Sequence, residues 1–145
     1  MTSIDFYFNA EDRLQVACRL AGKALAQGKR TMIYAPDADI AQRVDRLLWT
    51  WQATGFVPHC PQHDALAAQT PVLIGAEPAA ATGCDVLLNL GAATPPAFES
   101  FDRLLEVVDA NEDGRRAARE RYRFYRDRGY AIADHDLARM GAGAT

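Results

Sequence analysis

Three stretches of this chain, TMIYA (31–35), PVLIG (71–75) and DVLLNL (85–90), are apolar at almost every position. A strand with one wet face alternates apolar and polar side chains, so short uninterrupted runs predict strands buried on both faces. Between them the apolar residues recur at helical spacing. In AEDRLQVACRLAGKALAQGKR (10–30), Leu14, Ala17, Cys18, Ala21 and Leu25 share a face, with Glu11 and Asp12 at the start and Gly28 placed to stop the helix. After Pro36 and Asp37, a second stripe runs through Ile40, Val44, Leu47, Leu48 and Trp51. Buried strands alternating with helices predict an α/β domain, a mostly parallel sheet covered by helices on both faces.

Other segments fit the same plan. SIDFYFN (3–9) sets Ile4, Phe6 and Phe8 against Asp5 and Tyr7, the period of a strand with one buried face. GFVPH (55–59) reads as a short extended piece, because Pro58 biases Val57 towards β geometry. Residues 60–71 read as a loop with a weak apolar turn around Leu66, PPAFESF as a turn or two of helix, and DRLLEVVD as a strand. A helix is expected from Glu112 to Arg128, ended by Gly129, and YAIAD as a last strand. The domain is placed at residues 1–133, followed by a tail, 134–145, that is expected to fray.

Parallel sheets of this kind often hold nucleotides, but the chain has neither a phosphate-binding G-x-x-x-x-G-K-[ST] loop nor a G-x-G-x-x-G after its first strand. The fold is therefore read as Rossmann-like without a nucleotide-binding motif, and no cofactor is expected. His59, Cys60 and His63 put three metal-ligating side chains in five residues, yet no fourth ligand or second pair accompanies them. A loop with incidental polar groups is the reading preferred, with no metal. A nucleophilic site drawn from Cys84, His59 and Asp85 is possible on paper, but a cysteine entering an apolar strand is ordinarily an inert thiol. No catalytic residue is assigned and no enzyme activity expected. Three cysteines give no disulfide framework, and no apolar run spans a membrane, so a cytoplasmic protein is expected.

The charge is unevenly placed. Residues 115–128 (RRAARERYRFYRDR) carry seven arginines against Glu120 and Asp127, a net of +5, and the remainder nets −8 to give the overall −3. On a helix, Arg115, Arg119, Tyr122 and Arg126 share a stripe and Arg123 borders it, while Ala118 and Tyr125 suit packing on the sheet. A solvated face is the plain alternative. Arginine, however, brings a planar fork that grips carboxylate or phosphate through paired hydrogen bonds, where lysine would serve solubility as well. Either single-stranded nucleic acid or an acidic peptide fits such a face, and the acidic remainder disfavours a broad nucleic-acid groove.

DRLLWTWQATGFVPH (45–59), DVLLNL (85–90), EVVD (106–109) and ARERYRFYRDRGY (118–130) together resemble the chi subunits of bacterial DNA polymerase III holoenzyme, and the order of elements agrees over roughly residues 1–133. The resemblance implies a non-catalytic adaptor of the clamp-loader assembly. It would bind the acidic C-terminal tail of single-stranded DNA-binding protein, which ends in aspartates and Pro-Phe, and so meet single-stranded DNA mainly indirectly. It implies tail contacts at Arg119, Tyr122 and Arg123, with Arg115 as a basic neighbour. It also implies that Trp49 and Phe56 face a second partner, the psi subunit or another clamp-loader or helicase protein. A direct single-stranded nucleic-acid binder using the same helix is the alternative.

Overall fold

The computed structural model describes residues 1–50, 57–81 and 83–140. Among these residues, seven strands form one sheet: β1 (Ser3–Ala10), β2 (Thr31–Tyr34), β3 (His59–Pro61), β4 (Val72–Gly75), β5 (Val86–Asn89), β6 (Arg103–Asp109) and β7 (Ile132–Asp136). Their order across the sheet is β3-β4-β2-β5-β6-β1-β7, and every pairing is parallel. Among the described residues, four α-helices accompany them: α1 (Arg13–Ala26), α2 (Ala38–Thr50), α3 (Glu112–Asp127) and α4 (Leu137–Met140).

Both faces of the sheet are covered, as the apolar runs require. On one face Ile33, Val72, Ile74, Val86, Leu88 and Leu105 pack under Leu14, Ala17 and Ala21 of α1 and Val44 and Leu48 of α2. On the other, Ile4, Phe6, Met32, Leu73, Leu87 and Leu104 meet Ala118 and Tyr125 of α3, with Phe98 and Phe101 from the short 3-10 turn before β6. Helix starts are held locally. The Asp12 carboxylate accepts from the backbone N–H of Leu14 and Gln15, and the Asn111 side chain accepts from that of Gly114 at 2.7 Å.

Some sequence expectations need correcting. The stretch read as a loop from residue 60 contains most of β3, whose His59–Pro61 pair with Val72–Ile74. The turn expected around Leu66 is there, as a 3-10 turn at Ala67–Gln69. Three residues on a sheet edge are too few to leave a periodic signal. Part of the segment assigned to the tail lies in the sheet. Asp134, His135 and Asp136 pair with Phe6, Tyr7 and Phe8, and α4 follows. This segment is held by polar partners and not by an apolar run: His135 stacks on Tyr7 and contacts Asp5 at 2.9 Å. Residues 141–145, and the expectations for Trp51 and Phe56, lie outside the described residues.

Candidate peptide-binding groove

Arginine 121 shows how α3 is fixed. Arg121 and Tyr125 face inward and meet Glu106, a fully buried carboxylate in the middle of β6. Glu106 accepts from Arg121 Nε at 3.0 Å, from the Tyr125 hydroxyl at 2.6 Å and from Asn89 Nδ2 at 3.0 Å, and Arg121 Nη1 donates to the Ala92 carbonyl at 2.8 Å. Burial holds the Glu106 carboxyl above its usual range, while the Arg121 charge and the three donors oppose that shift. One of the seven arginines is thus an anchor, which orients the outward stripe of the helix.

That stripe overhangs a groove of about 370 Å³. Its floor is apolar, formed by Phe6 and Phe8 of β1, Val108 of β6 and Ala118 of α3, and its rim carries Arg115, Arg119, Tyr122 and Asp134. The position follows from topology: α3 begins where β6 ends, so its first turns lie over the carboxyl ends of β6, β1 and β7, where open α/β sheets ordinarily receive ligands.

A bulge shapes the groove's far end. The register of β1 against β6 slips between Tyr7 and Ala10, and Asn9 lies in the left-handed region at φ 65°. Asparagine tolerates that conformation better than most residues. The turned side chain bridges two elements: its Nδ2 donates to Asp136 Oδ1 and its Oδ1 accepts from Arg115 Nη2, both at 2.8 Å. Arg115 is thereby held at the groove's edge.

The other rim groups have partners too. Arg119 Nη2 lies 2.9 Å from Oε1 of Glu112, the first residue of α3, two turns back along the helix. The Tyr122 ring packs 5.0 Å from Phe6, and its hydroxyl donates to Asp134 Oδ2 at 3.2 Å. Burial and the Asp134 carboxylate push the Tyr122 phenol up, so it stays a donor at neutral pH. Arg123 does not line this groove. It joins Arg119, Tyr122 and Arg126 around an adjoining concavity of about 230 Å³. Arg115, Arg119 and Tyr122 are therefore brought together, and Arg123 sits next door. Phe6, Phe8, Asn9 and Asp134 were missed by the sequence reading, although the Phe6/Phe8 alternation marked one shared face.

Elsewhere, Trp49 on α2 is 59% exposed, with its ring edge-on to His59 at 5.0 Å. His59 Nε2 is 3.2 Å from Asp45, and His63 Nε2 is 2.8 Å from Glu77. Among the described residues no group of three or more acidic, histidine or cysteine side chains is placed to hold a metal. Cys84, Asp85 and His59 do not converge, because β4 and β2 separate β3 from β5. Burial pushes the Cys84 thiol up, the opposite of what a nucleophile needs. No described helix is long and apolar enough to cross a membrane.

Comparison with known proteins fits this geometry to a family. The sequence model described as DNA polymerase III chi subunit, HolC, matches residues 1–133. A Pseudomonas aeruginosa protein named DNA polymerase III subunit chi is 36% identical over 144 residues, spanning 97% of this chain and 100% of its own length. An Escherichia coli protein of the same name is 29% identical over 119 residues, 81% of each chain.

Proposed function

This chain belongs to the family of DNA polymerase III chi subunits, and from that premise we propose that it is a non-catalytic adaptor gripping the acidic C-terminal tail of single-stranded DNA-binding protein. The observation that carries the reading is the pairing, in one groove, of Arg115 and Arg119 with a floor of Phe6, Phe8 and Ala118. Cations beside an apolar slot suit a peptide that ends in carboxylates and an aromatic ring. The ring supplies most of the affinity, since burying a phenyl side chain is worth about 1.5–3 kcal/mol, whereas each exposed ion pair contributes about 0.2–1 kcal/mol. Arg123, over the adjoining concavity, would take carboxylates further along the peptide. Affinity is then modest and salt-sensitive, and several tails on one oligomeric partner strengthen attachment by effective concentration.

On this reading the protein works in the cytoplasm and meets single-stranded DNA through its protein partner. A second partner, psi or another clamp-loader or helicase protein, takes the surface around Trp49, whose exposed indole supports such a contact. Phe56 is assigned to the same surface from the sequence alone. The test is titration with a fluorescent peptide ending in aspartates and Pro-Phe. Binding should weaken about tenfold or more without the last phenylalanine and about two- to fivefold in Arg119→Ala. A folded protein that ignores the peptide at low salt would sink the adaptor reading, and binding of naked single-stranded DNA in its place would favour direct nucleic-acid binding.

A further inference from the structure

We infer that Glu112 is a built-in competitor for Arg119, one of the groove's two rim cations, and raises the threshold an acidic ligand must exceed. The inference rests on the adaptor reading and deepens it. Glu112 Oε1 lies 2.9 Å from Arg119 Nη2, and both side chains are about 60% exposed, so the pair is free to open toward solvent. Arg115 differs, being held by the neutral amide oxygen of Asn9. An incoming carboxylate that takes Arg119 must first displace Glu112, exchanging one exposed ion pair for another.

Such an exchange yields less than an unpaired Arg119 would give, because the existing pair with Glu112 is given up as the new one forms. It also leaves Glu112 beside the incoming carboxylate, and like charges repel. Acidity alone is then a poor key to this groove. Only a ligand that also fills the apolar floor gains enough to bind, and selectivity comes from the repulsive element as much as from the attractive one. The arrangement keeps the many acidic surfaces of other proteins out of a groove whose rim is cationic.

The test compares the whole protein with Glu112→Gln and Glu120→Gln. Both variants remove one negative charge from α3. Glu120 lines neither concavity and pairs with no cation among the described residues. With the aspartate-Pro-Phe peptide at low salt, Glu112→Gln is expected to bind about two- to fivefold more tightly than wild type, with the gain shrinking as salt rises. Glu120→Gln should stay close to wild type, and thermal melts of all three confirm folding. If both variants behave alike while wild type binds, Glu112 is no competitor and the adaptor reading survives. If folded wild type is silent and only Glu112→Gln binds, the adaptor reading falls and this inference falls with it. No binding by any of the three overturns both readings.

Discussion

Arg119 and Arg121 stand two positions apart on one helix, yet one is exposed on the rim of a groove and the other is sealed against a buried carboxylate. Their separate fates depend on Glu106, which sits within an otherwise apolar strand and gives no sign from sequence that it faces α3. Removing one partner of a buried pair costs about 3–5 kcal/mol, because the survivor keeps its desolvation penalty without compensation. Arg121→Met is therefore expected to be strongly destabilised in urea unfolding, and Arg121→Met with Glu106→Gln to recover much of the loss. The pH dependence has a definite sign. Burial already holds the folded Glu106 carboxyl above its usual range, and losing Arg121 raises it further. A raised carboxyl contributes stability below its unfolded range, and that contribution is lost as pH climbs through the folded one. Arg121→Met should thus be firmer near pH 5 than near pH 8, and a flat profile would show that Glu106 is not the group exposed by the change.

At the level of elements, the buried strands were legible because β2, β4 and β5 are short apolar runs, and α1 to α3 because their stripes repeat at helical spacing. What escaped was held together by polar contacts. β7 reads as YAIAD followed by a loose end, but its last residues are fixed by Tyr122, Asp5 and Asn9, and such cross-links between distant residues have no local signature. The β1 bulge is hidden for a related reason: its left-handed residue is an asparagine, not a glycine. Asn9 supports both the backbone turn and Arg115, and two substitutions separate these roles. Asn9→Gly should keep the turn at little cost in stability while weakening acidic-peptide binding about two- to fivefold. Asn9→Ala should lose peptide affinity to a similar degree and also about 1 kcal/mol of stability from the strained φ. Equal thermal midpoints for the two variants would remove the case for strain at this position.

Across the whole molecule, the +5 helix on a −8 remainder orients an anionic partner toward one side while the rest repels it. A long nucleic-acid strand would run beyond α3 onto acidic surface, whereas a short peptide need not. Naked single-stranded DNA is therefore expected not to shift in a gel near physiological salt, and to be shifted once coated with its binding protein; a shift without that protein would mean that α3 alone outweighs the acidic body. The charge contrast was visible in the sequence. The groove's floor was not, since it joins residues from β1, β6 and α3, and only tertiary structure brings them together. That joining has a consequence for how the protein is made. Ile4 lies between Leu104 on one side and Ile132 on the other, so a strand that leaves the ribosome early must wait for neighbours translated much later. Pairing over such sequence distances is slow, and until β7 has emerged the nascent polypeptide has no complete groove. On the adaptor reading, a half-translated copy would therefore not occupy a partner's tail, and only finished molecules would compete for it.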